Sequence, residues 1–175
     1  MDPRLAAYLS GRVPAARELV NWIRADVRFE VAAHLTADPP PLDLVTSVRA
    51  IVRDGDGVLV FDSEDGTHAA PGGRREPGES PVDAVRRELE EELGCRPQIG
   101  RQLGILHFHH LTPRPDGYRY PYPDFVQVVY AATVGRDAVS DRADPLVRRP
   151  RFVPLTDARE LALPAVELAF LSRAD

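Results

Sequence analysis

Lysine is absent from this 175-residue chain, and all 22 of its basic side chains are arginine. Asparagine occurs once, at Asn21. Genome base composition and a hot habitat both leave this trace. Cys95 is the single cysteine, which excludes an internal disulfide and a cysteine-based zinc site. No run is long and apolar enough to span a membrane, and residues 1–12 lack the apolar core of a signal peptide. The expectation is a soluble, cytoplasmic protein. Positive charge is not in excess either, since the net charge of −5 argues against a broad nucleic-acid surface. What is present suits one domain: 43% of the residues are apolar, enough over this length for a real core.

The chain is organised around residues 73–95, GRREPGESPVDAVRRELEEELGC. Ser80 reads as a helix N-cap, Pro81 stands where its missing N–H costs nothing, and Asp83 faces the positive helix end. Gly94 is a natural stop. At about 100° per residue, Glu88, Glu91 and Glu92 fall within an arc of roughly 100°. Val82, Val85, Leu89 and Leu93 form an apolar stripe beside them. Three clustered carboxylates repel one another, and a surface helix can simply carry them in water. A hard divalent cation reverses that repulsion, because Mg²⁺ takes carboxylate oxygens together with substrate phosphates. Pro71-Gly72-Gly73 supplies a turn at which backbone can approach a ligand closely.

The same stretch resembles the Nudix box, G-x5-E-x7-R-E-U-x-E-E-x-G-U with U a bulky aliphatic. Gly73, Glu79, Arg87, Glu88, Leu89, Glu91, Glu92 and Gly94 fall in place, and only Cys95 departs, at the last aliphatic slot. The resemblance implies an α/β fold, a Nudix-type α/β/α sandwich, and hydrolysis of a nucleoside diphosphate linked to another moiety. It implies Mg²⁺ or Mn²⁺ held by Glu88, Glu91 and Glu92, with Arg87 and Glu79 bracing the loop against the helix and Gly73 shaping the backbone. The general base has no fixed place in the family; Asp144 is the candidate here and Asp141 its rival. The alternative is a Nudix-fold module that senses a nucleotide without cleaving it. Such modules often lose box carboxylates, and this chain keeps them.

Around the box, the periodicity gives a further set of expectations. Residues 1 to about 36 read as a helical extension, stopped by Pro39-Pro40-Pro41, so that residues 1–41 form an N-terminal extension with a stiff linker and 42–175 the Nudix unit. In that helix Val20, Ile23, Val27, Val31 and Leu35 make one stripe. Trp22, Phe29 and Ala33 make an opposite seam, expected to meet a second subunit in a homodimer or to fold back on residues 1–12. Residues 44–52 and 58–61 read as strands joined by Asp54-Gly55-Asp56-Gly57, a hairpin turn rather than a metal loop. Residues 102–111 read as a strand with His107 and His109 on one face and Phe108 and His110 on the other. That pair suits a zinc ion, a hydrogen-bonded surface pair or a substrate pocket. The loop 112–124 is either a stiffened connection or a substrate wall built from Tyr118, Tyr120 and Tyr122. Strands at 125–134 and 151–155, then short helices interrupted at Pro164, complete the chain. The substrate expected is a nucleotide-type small molecule. Near His68, relatives commonly carry a Trp that this chain lacks, and the window His110-Leu111-Thr112 offers neither the proline nor the tyrosine that marks two of the family's substrate classes.

Overall fold

The computed structural model describes residues 1–22, 26–94, 96–135 and 147–173. A short helix α1 (Pro3–Leu9) is followed by strands β1 (Ala16–Trp22) and β2 (Val27–Leu35). Strands β3 (Val45–Asp54), β4 (Gly57–Asp62) and β5 (Thr67–His68) lead to helix α2 (Pro81–Leu93). Strands β6 (Gln98–His110), β7 (Asp124–Thr133) and β8 (Arg148–Pro154) and helices α3 (Leu155–Ala158) and α4 (Ala165–Leu171) complete the order. Among the described residues the strands form one sheet in the order β1-β2-β6-β7-β3-β4-β5, with β8 pairing β4. β3 and β7 run parallel; the other pairings are antiparallel.

Helices cover both faces, so the α/β/α sandwich holds. On one side α2 sets Ala84, Val85, Leu89 and Leu93 against Val48, Ala50, Ile105 and Val126, with Leu5 of α1 beside them. On the other, Val166, Phe170 and Leu171 of α4 pack with Phe29, Val31, Leu106 and Val129. Val82, expected in the buried stripe of α2, is 38% exposed at the first turn. No helix among the described residues is long and apolar enough to cross a membrane.

The N-terminal helix is a correction. Only Pro3–Leu9 is helical, and the stretch expected to continue it is the β1–β2 hairpin. Odd-numbered residues 27–33, Val-Phe-Val-Ala, are buried together on one face, which is period two, and β2 pairs with β6 from Phe29↔His110 to Leu35↔Gly104. Two valines and a phenylalanine suit a pleated, half-buried surface. The turn uses Asp26 at φ 49°, a conformation that short polar side chains tolerate. Ile23 lies outside the described residues. The two-seam helix behind the homodimer expectation therefore does not exist. Trp22 instead meets Phe29 of its own hairpin edge-on, with ring centroids 4.6 Å apart.

The remaining local expectations follow the backbone closely. The Asp54–Gly57 turn closes the β3–β4 hairpin with Asp54 opposite Gly57. β3 and β4 pair only there, at Arg53↔Val58 and Asp54↔Gly57, and then separate. The gap is filled by residues 71–75. Ala50 N–H donates to Pro71 O at 3.0 Å, Val48 N–H to Gly73 O at 2.9 Å, and Arg75 N–H to Thr46 O at 3.0 Å. The glycine turn thus lies at a split in the sheet, directly beneath α2.

Candidate functional site

Local chemistry sets α2 in place. Ser80 Oγ accepts the Asp83 N–H at 3.1 Å, and Gly94, at φ 67°, ends the helix with its N–H on Glu90 O at 3.0 Å. Arg87 is the hub of the turn that precedes it. Its Nε and Nη2 donate to the two oxygens of Glu79 at 3.0 and 3.1 Å, a bidentate pair, and Nη2 also reaches Arg74 O at 2.9 Å. Glu79 Oε2 in turn accepts the Glu76 N–H at 3.0 Å. The Arg87 hydrogen bonds hold the Glu79 carboxyl below its ordinary value. Loop and helix are closed on each other by this one guanidinium.

The three carboxylates occupy one edge of α2 but different surroundings. Glu92 is buried, and its Oε2 accepts the Gly72 N–H at 2.9 Å. Glu88 lies against Gly73 so closely that a Cβ added there would stand 2.2 Å from its Oε2. Arg87 Nη1 donates to Glu88 Oε1 at 2.8 Å and reaches Glu91 Oε2 at 3.3 Å. Glu91 is the exposed member, with 60% of its side chain open to solvent. Among the described residues no three His, Cys, Asp or Glu side chains already converge as a metal cage. The donor set nonetheless fits a hard divalent ion: anionic oxygens from one helix edge, with the missing Cβ of Gly73 leaving room for the Glu88 carboxylate.

A cavity of about 310 Å³ opens from this edge. Gly72 and Glu92 line it, so box and cavity share a wall. One side is residues Glu18, Val20 and Trp22, alternate positions of β1; the facing side carries His68, Ala70 and Gly72. Arg49, Leu106, Phe108 and Gln127 contribute from β3, β6 and β7. Arg49 is held by neutral acceptors, with Nε donating to Gln127 Oε1 at 3.3 Å and Nη1 to Ala70 O at 3.1 Å. At one end Glu167 is buried, taking the Ala69 N–H at 2.6 Å and His68 Nδ1 at 2.8 Å. Burial works against a protonated His68, but the hydrogen bond and charge of Glu167 outweigh it and raise the imidazole above its ordinary value. Burial raises the Glu18 carboxyl, against the pull of the Val166 and Ala165 backbone at the start of α4.

Two of the three loop tyrosines stand beside the box. Tyr118 and Tyr120 line a second, small cavity with Trp22, Ser47 and Arg74, and the Arg74 guanidinium sits 4.9 Å over the Tyr120 ring. Tyr122 lines neither cavity; its ring is 5.0 Å from His110, the imidazole that Tyr118 also bonds, and its O–H donates to Thr112 O at 3.3 Å. Asp144 and Asp141 lie outside the described residues, as does Cys95. His107 and His109 share a face as the strand alternation requires, and both bond Asp124 Oδ1, at 2.8 and 2.9 Å. Since a carboxylate only accepts, His107 carries its proton on Nε2 and His109 on Nδ1. Burial of Asp124 pushes its carboxyl up, but the two imidazoles prevail and bring it down to about 2.

Of the cavity residues, Glu18, Arg49 and Gln127 stand outside the motif, Trp22 is expected in a helix seam, and His68 has no expected role. The signal for two of them was present. Arg49 and Gln127 interrupt otherwise apolar strands, TSVRAIV and DFVQVVY, and a polar residue in such a strand needs a reason.

Comparison with known proteins places these features in a family. The NUDIX domain model matches residues 43–172. A Bacillus subtilis (strain 168) protein, YjhB, named provisionally as an ADP-ribose pyrophosphatase, is 28% identical over 110 residues, covering 63% of this chain and 52% of that protein. A MutT-like protein of Streptomyces ambofaciens is 36% identical over 70 residues, covering 39% of this chain and 46% of its own. The chain thus spans about half the length of these two relatives. Among solved structures, the MutT protein from Methanosarcina mazei Go1 superposes with a TM-score of 0.55 at 22% identity, over 75% of this chain and 92% of that one. The Bacillus subtilis pyrophosphohydrolase BsRppH does so at 0.51 and 23%, over 78% and 77%. At these identities the structures bear on the fold alone.

Proposed function

This chain belongs to the NUDIX domain family, and from that premise we propose that it is a divalent-metal-dependent pyrophosphohydrolase. Its substrate is a nucleoside diphosphate linked to another moiety, a soluble small molecule of the cytoplasm. The observation that carries the reading is the shared wall. Glu92 belongs at once to the carboxylate-bearing helix edge and to the 310 Å³ cavity, and Gly72, bonded to it, lines the cavity beside it, so a ligand filling the cavity reaches that edge.

In this reading Glu88, Glu91 and Glu92 hold the metal, Mg²⁺ or Mn²⁺. Such an ion neutralises charge on phosphoryl oxygens and lowers the pKa of bound water. Arg87 and Glu79 keep the turn shut on the helix, so the carboxylates keep their spacing. Gly73 leaves room for Glu88. Arg49 brings a positive charge, bonded only to neutral groups among the described residues, to a cavity suited to an anionic diphosphate. Tyr118, Tyr120 and Trp22 give aromatic surface for a base. Asp144 is retained as the candidate base. Water attacks one phosphorus of the diphosphate and gives up a proton to the base. The bond from that phosphorus to the bridging oxygen breaks, and the oxygen leaves with the other phosphate, giving two phosphate-bearing products.

The test is a screen of the purified protein with Mg²⁺ or Mn²⁺ against nucleoside triphosphates, nucleotide sugars, dinucleotides and capped RNA, with product identification. Turnover of one class to two phosphate-bearing products is the expected result. Tight nucleotide binding with no turnover of any class would decide for the sensing module.

A further inference from the structure

The cavity is a trough with two chemically different ends. One long wall is strand β1; the other runs from β5 through a bend at Ala69 to the glycine turn, where Gly72 has φ +136°. Glu18, Val20 and Trp22 stand at alternate positions of β1, and residues 68, 70 and 72 alternate on the other side. At about 3.3 Å per residue, Glu18 and Trp22 are separated by roughly 13 Å. Chain order therefore sets chemistry along the trough. His68 marks one end, Gly72 with Glu92 the middle, and Arg74, beyond Gly73, leads to the other end.

The Trp22 end is aromatic. The Trp22 ring is 40% exposed, backed by Phe29, Phe108 and Phe125 with ring centroids between 4.6 and 6.4 Å away. It also lines the second cavity with Tyr120, so the aromatic surface continues past Arg74. A flat base stacks on such a surface. The Glu18 end is polar, with Glu18, Ser63, Asp65 and His68 on its walls. It continues into an open groove that Glu18, Asp65 and His68 also line. Asp65 Oδ1 already accepts the Ser63 O–H and the His68 Nε2–H, and Glu18 the backbone at the start of α4. A carboxylate offers about four lone-pair sites, so both still accept from hydroxyls while disfavouring a further phosphate. Continuity with solvent suits a group that keeps part of its hydration.

Resting on the hydrolase reading above, we propose that the trough takes a nucleoside diphosphate whose second phosphate carries a neutral, polyhydroxylated group such as a sugar. The base lies against Trp22, the diphosphate crosses Gly72 and Glu92, and the hydroxyls meet Glu18 and Asp65. Trp22 and Glu18 both precede residue 43, where the family match begins. The hairpin that extends the sheet thus supplies one entire wall of the trough and the residue that discriminates at each end.

Binding decides this independently of turnover. Calorimetric titrations with Ca²⁺, an oxygen-seeking ion, in place of Mg²⁺ compare ADP with ADP-ribose and UDP with UDP-glucose. In at least one pair the sugar-bearing member binds about tenfold more tightly, the scale of a hydrogen bond to a charged group. Glu18→Ala, or Asp65→Ala if the first fails to fold, removes most of that ratio. Trp22→Ala weakens both members of the pair by a similar factor and leaves the ratio standing. Equal affinities within both pairs overturn the proposal, and so does a ratio that survives both carboxylate substitutions. Failure of the hydrolase reading would show separately, as no turnover of any substrate class with Mg²⁺ or Mn²⁺. Turnover of triphosphates alone, with equal binding within both pairs, would sink the trough assignment and leave the hydrolase.

Discussion

Glu92 Oε2 accepts the Gly72 N–H at 2.9 Å, so the carboxylate edge of α2 is tied by a buried hydrogen bond to the turn that lines the cavity. Gly72 carries no side chain for a separate reason. Its φ is +136°, and a Cβ there would stand 2.3 Å from Val48 O, a backbone atom in the adjoining strand.

Gly72→Ala is expected to destabilise more than Gly73→Ala. At Gly73 the obstructing group is the Glu88 side chain, which can rotate away, whereas Val48 O cannot. Overpacking typically costs about 1–3 kcal/mol, and Gly72 adds backbone strain. Urea denaturation of both variants checks the order. Gly73→Ala should fold well and lose activity because Glu88 is displaced; full activity would show that Glu88 does not hold the metal.

Glu91→Gln keeps shape and volume at the exposed end of the carboxylate edge while removing a charge. Turnover should fall by at least about 10²-fold, the scale of a lost electrostatic stabiliser, with unchanged circular dichroism. Undiminished turnover in a folded variant would remove this edge from the active site.

Tyr120→Ala should raise KM with kcat little altered, by an amount equivalent to about 1–3 kcal/mol if a base stacks there. Tyr122→Ala should change KM less, since its ring packs on His110 and lines neither cavity. The pair is read in one steady-state experiment on the best substrate from the screen. A KM raised equally by both substitutions would show that the loop acts as one body.

The His68–Glu167 contact should make stability fall as pH rises. The folded-state imidazole is raised above its ordinary value of 6.5, so its contribution is fully present below that pH and is lost as pH climbs through the folded value. Unfolding free energies of the native protein and of His68→Gln should therefore converge as the pH is taken upward from 6. A gap that stays constant or widens would show that the ion pair adds nothing.

Asp124 behaves in the opposite sense. Its carboxyl is depressed from 3.8 to about 2, so its contribution is present above about pH 4 and disappears as pH falls toward 2. Asp124→Ala removes the shared acceptor of two imidazoles, one of them buried, and should cost about 3 kcal/mol at neutral pH. The difference from the native protein should narrow in acid titrations below pH 4. A loss independent of pH over that range would mean that packing, not charge, is what the substitution removes.

What the sequence determined by itself was local. Ser80, Pro81 and Asp83 start α2, Gly94 stops it, and the spacing of Glu88, Glu91 and Glu92 puts them on one edge, because caps and helical period act within a few residues. The Asp54–Gly57 turn and the alternation of His107 and His109 were legible for the same reason. The tertiary structure decided the hairpin. Val27, Val31 and Leu35 satisfy a helical period as well as an alternating one, and what makes residues 27–35 a strand is pairing with β6, 69 to 81 residues further along the chain from Leu35↔Gly104 to Phe29↔His110. That pairing also brings Trp22 and Glu18 to the trough opposite residues 68–72. A ligand site built from strands distant along the chain is set by register and sheet order, and neither is written in the spacing of any one segment.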